Sequence, residues 1–523
     1  MQRRGFLATG ATAALARPAL GGLSRTLICV PQVPMTTFDP VWSSQQIARN
    51  AGYMIFDMLY GRDEHNRPQP QMIESGTMDA DAKRWTLRLR EKLFWHDGPP
   101  VLARDCAASL RRWMVRSPAG AALKARLDAL ETPDDRTLVF RLSKPFAHLP
   151  AVLSSIVIPP VMMPERVAAT DPFKPIGEAI GSGPFRFVRN EYVQSSFAAF
   201  ARNDAYVPRD EKPSYMAGGH RVLVDRVEWK MITDGATAAN ALVTGEIDWI
   251  EIPLPDLLPM LKRAPGVKTG ILDEFGQKMI LRPNHTVAPT SNVELRRALM
   301  AAMDQKEIMT AVMGGDPANA LTDVGFLTTG DPSVDQAGME ALRARHSKAE
   351  IGAMLAKAGY KGETLVLLHP TDHTFYNPGS SIIAHSLAQA GFAVDDQPMD
   401  WGTVQVRRAS REGLDKGGWS IFCTVVPAPD YQSPLQADFM RGQGKGGWFG
   451  WPEDAGIEAI HDQWLSATDP AEQARLARAF QLRAFDFLPF IPIGGYRQTS
   501  AWRDSLQGVL KGPSIVFWNV SKS

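Results

Sequence analysis

Short apolar and alternating runs predict β-strands in the first 150 residues. Residues 27–30 (LICV) are apolar and end at Pro31, which is typical of a buried strand. Residues 86–90 (TLRLR) alternate apolar and charged positions, as a strand with one face in solvent does, and residues 137–142 (TLVFRL) do nearly the same. Between them, Leu110, Trp113 and Met114 have helical spacing and predict a helix over residues 103–115.

Helix signals are most complete in the second half of the chain. Ser347 and Glu350 form a capping box, in which the hydroxyl and the carboxylate accept hydrogen bonds from free N–H groups at a helix start. Apolar positions follow at helical spacing, and Gly359 supplies the C-terminal stop. Residues 364–368 predict a buried strand, and residues 470–487 predict another helix that ends before Pro489. This alternation indicates a three-layer α/β domain over about residues 290–420.

The first 22 residues have the pattern of an export signal. Arg3 and Arg4 precede a weakly apolar stretch rich in Ala, Gly and Thr, which is typical of a twin-arginine leader. Cleavage sites after Ala16 and after Gly21 both fit. A cut at Ala16 removes two positive charges, so the net charge falls from +1 to −1. Cys29 follows Ile28, which does not fit a lipid-anchor site, so we expect a buried Cys in a strand. These features predict a soluble periplasmic protein.

Composition narrows the class of protein. The charged residues, 57 Lys+Arg against 56 Asp+Glu, offer no basic face for a nucleic acid. The sequence has no apolar run of 18 residues that would span a membrane, and the three Cys match no zinc spacing. His369 and His373 are four residues apart, but Pro370 follows the first, so we predict no metal site there. Hydrolase and ATPase motifs are absent, which favours a binding protein without a cofactor over an enzyme.

Several segments carry a family resemblance. They are the FDP turn at residues 38–40, residues 52–61, the stretch TLRLREKLFWHDGPPVLARD at 86–105, GSGPF at 181–185, TGEID at 244–248, ELRRAL at 294–299 and the helix at 349–360. In this order they resemble the extracytoplasmic solute-binding proteins of family 5, which include dipeptide-, oligopeptide- and nickel-binding proteins of ABC importers. The Pro99-Pro100 pair is atypical of that family.

The resemblance implies an α/β fold of two lobes that close over a solute at two strand crossings. Its first lobe is discontinuous, with residues 23–53, 177–277 and 489–523, and residues 54–176 form an inserted subdomain. The second lobe is residues 278–488, and residues 517–520 return to the first lobe as a strand. The partners it implies are a small solute, most often a peptide, a membrane permease and separate ATPase subunits, and the expected state is a monomer.

The resemblance also implies a binding residue. In the family, a Gly-Trp pair after a strand, followed by an acidic residue and a Pro, holds the free α-amino group of the ligand. Asp430 is the candidate carboxylate here, because a desolvated ammonium needs an ionised partner. The loop between Trp419 and Asp430 is several residues longer than in peptide binders, and Asp430 also fits a turn before Pro434.

Further candidates line the expected cleft. Aromatic side chains offer rigid contact area, and we expect two or three of six to reach the ligand: Trp401, Trp419, Tyr431, Trp448, Phe449 and Trp451. Other candidates are Trp42, Ser43 and Ser44 in the loop after the first strand, and Arg282 and Asn284 at the entry to the second lobe. Rival interpretations are a metal chelate, an opine-like conjugate or an oligosaccharide as cargo, and, outside transport, a periplasmic enzyme or a folding helper.

Overall fold

The computed structural model describes residues 25–328 and 335–523, so the predicted leader lies outside the described residues. Two large sheets form the centres of the two lobes. In spatial order, the first sheet contains Phe185–Phe187, Phe197–Arg202, Arg226–Lys230, Thr26–Val30, Trp249–Ile250, Thr499–Arg503 and Val267–Ile271. The second contains Ala320–Leu321, Ile491–Tyr496, Gln277–Pro283, Ile421–Pro427, Leu365–Pro370 and Val394–Met399.

A third, antiparallel sheet lies within the inserted segment. Its strands are Ile73–Met78, Arg84–Leu89, Thr137–Leu142 and Leu127–Asp134. Three two-stranded ribbons complete the strand pairing, formed by Asp57–Met58 with Val161–Met162, Tyr60–Arg62 with Pro68–Pro70, and Leu506–Gln507 with Ser521–Lys522. The fold is thus a two-lobed α/β architecture with an additional subdomain.

The α-helices cover the sheets. The first lobe has Gln46–Ile55, Gly235–Thr244 and Leu258–Leu261, and the inserted segment has Ala103–Arg116, Pro118–Lys124, Leu149–Val152 and Glu165–Ala168. The second lobe has Val293–Ala301, Gln305–Met313, Glu340–Arg343, Lys348–Lys357, Tyr376–Ala390, Trp401–Arg407, Ala455–Ser466 and Pro470–Phe487. The capping box at Ser347 and Glu350 is confirmed, as is the buried Cys29 in the first strand.

Short 3-10 helices connect these elements. They are Arg189–Glu191, Pro255–Leu257, Pro317–Asn319, Leu414–Lys416, Ala428–Tyr431, Pro434–Gln436, Asp438–Met440 and Gly444–Gly446. Four of them follow one another between residues 428 and 446, after the strand Ile421–Pro427. This segment is therefore compact but irregular, and it carries the predicted Asp430.

Two crossings join the lobes side by side. One is residues 272–276, between Val267–Ile271 and Gln277–Pro283, and the other is residues 497–498, between Ile491–Tyr496 and Thr499–Arg503. The strands on either side of them are paired, Gln277 with Tyr496 and Ile271 with Thr499. Two short adjacent crossings are the geometry of a hinge.

Two expected features of the C-terminal region are corrected. The chain returns to the first lobe after residue 496, later than the predicted residue 489, because Ile491–Tyr496 pairs with Gln277–Pro283 in the second sheet. Residues 517–520 are not a strand but a buried turn with Asn519 at φ 63°. The rings of Phe517 and Trp518 still pack into the first lobe, against Trp249 and His220 respectively.

The inserted segment is fixed to the first lobe by a buried ion pair. Arg112 of the helix Ala103–Arg116 donates to both carboxylate oxygens of Asp39, with a shortest N–O distance of 2.7 Å. Asp39 also accepts from the backbone N–H groups of Val41, Trp42 and Ile176. A fully hydrogen-bonded pair of this kind ties three chain segments together.

The GSGPF segment packs against the end of the first helix. The backbone N–H of Gly183 donates to the carbonyl of Ile55 at 2.9 Å. A Cβ added at Gly181 would lie 2.1 Å from that same carbonyl oxygen. Glycine is therefore required at position 181 because two backbone segments touch, which fixes the helix Gln46–Ile55 in position.

Candidate functional site

Asp430 lies buried between the lobes. It follows the strand Ile421–Pro427 in the 3-10 turn Ala428–Tyr431, which Pro429 helps to form. Its side chain is 6% exposed, and within the described part of the chain its Oδ1 has no hydrogen-bond partner. Burial raises the pKa of this carboxyl to about 6, while the positive charges of Arg62 and Arg49 oppose the shift. The site therefore holds a carboxylate that is not fully compensated.

The facing wall is the first helix of the first lobe, Gln46–Ile55. Nine of its ten residues are buried, so it lacks a solvent face and carries Arg49 and Tyr53 into the interior. The Tyr53 hydroxyl donates to the carbonyl of Ile156, and burial raises its pKa to about 12. Arg49 is 5% exposed, and its Nε has no partner among the described residues.

Arg62 supplies a second positive charge near Asp430, and its guanidinium already donates hydrogen bonds to other residues of the protein. It ends the strand Tyr60–Arg62 and donates to the carbonyls of Ser154, Ala151 and Asn66 and to the side-chain oxygens of Asn66 and Gln436. All of these acceptors are neutral, so its charge still acts on Asp430. Burial lowers the pKa of Arg62, and Asp430 opposes that shift.

Hydrogen bonds join the lobes around Asp430. From the first lobe, Asn66 donates to the carbonyl of Pro429 at 3.1 Å. From the second, Gln436 donates to the hydroxyl of Ser155 at 2.6 Å and accepts from Arg62. A second contact lies farther along, where His148 stacks on Trp464 at 4.1 Å between ring centroids. The structure thus has the two lobes in contact across a polar seam.

A second carboxyl, the half-buried Asp438, belongs to the same irregular segment as Asp430. Burial raises its pKa to about 7; the charge of Arg441 opposes the shift, and those of Asp430 and Glu458 add to it. Arg441 is itself ion-paired to Glu458 and donates at 2.8 Å from its Nε. The 3-10 segment after residue 427 therefore carries two acidic groups, one buried and one half-buried, whose pKa values are both raised.

Of the aromatic candidates, Tyr431 packs differently from the other five. Tyr431 belongs to the core cluster that extends into the first lobe, and its hydroxyl accepts from the backbone N–H of Phe439. The other five pack in one apolar cluster of the second lobe: Trp401, Trp419, Trp448, Phe449 and Trp451. Trp419 is fully buried there against Phe422, so its burial is explained by core packing. One of the five, Trp448, also stacks on Phe439 of the 3-10 segment that carries Asp430, with 3.8 Å between ring centroids.

Arg282 and Asn284 make internal contacts. Arg282 is fully buried and donates to the carbonyls of Phe449, Phe439 and Pro489. Asn284 donates to the carbonyl of Trp419. The structure therefore corrects the expected ligand-facing placement of Arg282, whose guanidinium instead ties loops of the second lobe together.

The predicted loop of Trp42, Ser43 and Ser44 lies just before the helix Gln46–Ile55, which carries Arg49. Trp42 is 37% exposed and donates from its ring to the carbonyl of Phe173. Ser43 accepts from the backbone N–H of Gln45 at the helix start. Arg49 in that helix was not among the predicted residues. The helix also contains Gln46 and Asn50, so the sequence pattern does not single Arg49 out.

The described residues contain no group of three or more His, Cys, Asp or Glu placed to hold a metal ion. His369 contacts Asp396 and Asn377, at 2.9 Å each, whereas His373 stacks on Tyr376. In the part of the chain that the structure describes, no helix is long and apolar enough to cross a membrane.

Comparisons with known proteins agree with this architecture. A family model described as "Bacterial extracellular solute-binding proteins, family 5 Middle" matches residues 67–438. A relative from Sinorhizobium fredii, named a probable peptide ABC transporter periplasmic-binding protein, is 33% identical over 497 residues, which cover 94% of this chain and 92% of the relative.

Solved structures share the fold. A binding protein from A. tumefaciens R10, in complex with agropinic acid, is 22% identical, with a TM-score of 0.78 over 95% of this chain and 99% of that one. A dipeptide-binding protein from Pseudoalteromonas sp. SM9913, in complex with Met-Leu, is 17% identical, with a TM-score of 0.78 over 95% and 100% of the two chains.

Proposed function

The chain belongs to the bacterial extracellular solute-binding proteins of family 5, and we propose that it captures a peptide with a free amino terminus between its lobes and delivers it to an ABC importer. The observation that carries this proposal is Asp430, a buried carboxylate at the seam whose Oδ1 has no hydrogen-bond partner among the described residues. The name of the Sinorhizobium relative supports a peptide cargo.

The mechanism is capture without chemical change. A desolvated ammonium placed at Asp430 supplies the charge-assisted hydrogen bonds that the carboxylate lacks. Because Asp430 belongs to the second lobe and Arg62 and Asn66 belong to the first, only the closed arrangement presents the whole site. The ligand shifts the open–closed equilibrium by its difference in affinity for the two states, and the hinge crossings absorb the motion.

The setting follows from the same proposal. The leader at residues 1–22 directs export by the twin-arginine route, and the mature protein works as a monomer in the periplasm. The permease and the ATPase that power uptake are separate chains. The closed shape is what the permease recognises.

The test is calorimetric titration of the mature protein, refolded to remove any copurified solute, with Met-Leu, Ala-Ala and tri-alanine. Asp430→Asn weakens binding of these peptides by about 2–5 kcal/mol, because it removes one partner of a buried charge pair. The matched control is Asp57→Asn, since Asp57 is a buried carboxyl whose pKa is also raised, mainly by burial, and whose neighbouring charges are Arg90 and Arg209.

The control keeps the affinity of the unsubstituted protein. Equal affinity of Asp430→Asn and the unsubstituted protein removes Asp430 from the site. If only oligosaccharides, metal chelates or opine-like conjugates bind, the peptide cargo is rejected. If the protein turns over a probe, or suppresses aggregation of an unfolded client without binding a solute, the transport function is rejected.

A further inference from the structure

Arg49 is exceptional among the buried arginines of the described chain. The other five each donate hydrogen bonds to a carboxylate, an amide oxygen or backbone carbonyls, namely Arg62, Arg112, Arg126, Arg282 and Arg296. Within the described residues the Arg49 side chain makes no hydrogen bond and no ion pair, and its Nε is a buried donor without a partner. A buried charge without partners is costly, so its retention calls for an explanation.

Glu251, a carboxylate of the same lobe on which the charge of Arg49 acts, does not supply that partner. Glu251 accepts from the backbone N–H of Gln32 at 2.9 Å and from the side chains of Asn50 at 2.8 Å and Gln46 at 3.2 Å. Both of its oxygens are therefore engaged in fixing the start of the helix Gln46–Ile55 to the first sheet. Arg49, one residue before Asn50, remains outside this network.

The charge of Arg49 nevertheless acts at the seam. Burial raises the pKa of four acidic groups around it, and the Arg49 guanidinium opposes each of these shifts: Tyr53, Tyr215, Glu251 and Asp430. Tyr53 belongs to the first helix, Tyr215 lies in the first lobe near its C-terminal turn, Glu251 directly follows the strand Trp249–Ile250 of the first sheet, and Asp430 belongs to the second lobe. The Tyr53 hydroxyl, one helical turn after Arg49, donates to the carbonyl of Ile156, and the neighbouring Ser155 accepts a hydrogen bond from Gln436 of the second lobe. Arg49 thus lies near the seam between the lobes, where its charge acts on Asp430 although the two are not paired.

We propose that Arg49 is the anion anchor of the site, and that the ligand is a short zwitterion whose carboxylate is held by Arg49 of the first lobe while its ammonium is held by Asp430 of the second. This rests on the proposed function for the ammonium end. A guanidinium presents a planar fork that matches a carboxylate in two parallel hydrogen bonds. Residues 154–156 contact Tyr53 on the helix of Arg49 and also Arg62 and Gln436 beside Asp430. The two protein charges therefore lie in the same part of the seam, which selects dipeptides and similar compounds over long peptides.

The test compares modified ligands on the unsubstituted protein before any variant is made. Calorimetry with Met-Leu, its C-terminal amide and its N-acetyl derivative measures the two ends separately. We expect Met-Leu to bind at least about thirtyfold more tightly than its amide, the ratio typical of an unpaired buried charge. Equal binding of acid and amide overturns the anchor, and this measurement does not depend on a variant that folds.

Variants then assign the preference to its residue. Arg49→Gln binds Met-Leu and its amide with affinities within about threefold of each other, and Arg49→Lys keeps part of the preference for the free acid. Asp430→Asn keeps the full preference for the free acid but no longer discriminates against the N-acetyl peptide. The matched control is Arg90→Gln, since Arg90 is a partly buried arginine of the same lobe whose Nη2 also lacks a partner. It keeps the full preference.

The outcomes separate the two proposals. If Asp430→Asn loses the free-amine preference while the unsubstituted protein treats acid and amide alike, the proposed function stands and the Arg49 anchor falls. If Arg49→Gln retains the acid preference, the anchor is another residue. If none of the free peptides binds, the proposed function falls, and the anchor falls with it.

Discussion

We expect peptide binding to depend on pH through Asp430, because an ammonium ligand requires the ionised carboxylate. Burial raises the pKa of Asp430 to about 6 from a reference value of 3.8, against the charges of Arg62 and Arg49. At pH 7 most of the protein is ready to bind, and below pH 6 the affinity falls about tenfold for each pH unit. Above about pH 8 the peptide amine loses its own proton, so the profile is bell-shaped.

The raised pKa of Asp430 also affects the stability of the ligand-free protein. Stability falls as the pH rises, whereas peptide affinity rises with pH up to neutrality. A carboxyl whose folded pKa is raised contributes stability that is fully present below pH 4 and is lost as the pH rises through 6. For Asp430, with a shift of about two pKa units, this loss is about 3 kcal/mol. Asp438, whose pKa burial raises to about 7, acts in the same direction.

The assay combines calorimetry with Met-Leu from pH 4.5 to 9 and urea unfolding of the ligand-free protein at pH 4 and pH 7. Asp430→Asn loses the acid limb of the binding profile, and it is at least as stable as the unsubstituted protein at pH 7. Asp57→Asn keeps the acid limb. The reasoning is refuted if Asp430→Asn destabilises the ligand-free protein at pH 7, or if peptide affinity is unchanged between pH 7 and pH 5.

Two further predictions concern how the first lobe is held. Arg112→Met leaves Asp39 charged and buried, so urea unfolding shows a loss of about 3–5 kcal/mol. The control Arg104→Met changes an exposed arginine of the same helix, whose contact with Glu165 is a surface ion pair, and stays within about 1 kcal/mol. Gly181→Ala forces a Cβ to within 2.1 Å of the carbonyl oxygen of Ile55, so its melting temperature and its peptide affinity both fall, because that contact positions the helix of Arg49. A Gly181→Ala protein with unchanged melting temperature and affinity contradicts the positioning argument.

Local signals predicted the helices and strands that depend on neighbouring residues. The helix Pro470–Phe487 and the strand Thr137–Leu142 have the expected bounds, because caps, prolines and alternation act over a few residues. The boundary of the C-terminal return was wrong because an apolar run predicts burial but not which sheet it joins. Ile491–Tyr496 lies between the two sheets in sequence, and only its pairing with Gln277–Pro283 decides its lobe.

The site was less predictable than the fold for a related reason. Asp430 was predicted from a motif that tolerates a longer loop, and its ligand role stays a prediction. The five aromatic candidates pack with one another in the second lobe. Arg49 was missed because the argument for it rests on its side chain lacking a hydrogen-bond or ion-pair partner among the described residues. That depends on Glu251, about 200 residues away in sequence, having both oxygens occupied.

In the proposed mechanism, the contrast between Arg62 and Arg49 couples closure of the lobes to the ligand. Arg62 has its hydrogen bonds satisfied by neutral groups from both lobes, so it stabilises the seam whether or not a ligand is present. Arg49 and Asp430 are buried in the same closed arrangement without partners, so closing an empty site carries the desolvation cost of both charges. A zwitterion removes that cost at both ends only when the lobes are closed. A ligand shifts the equilibrium only by the difference in its affinity for the closed and open states. These two side chains therefore supply that difference.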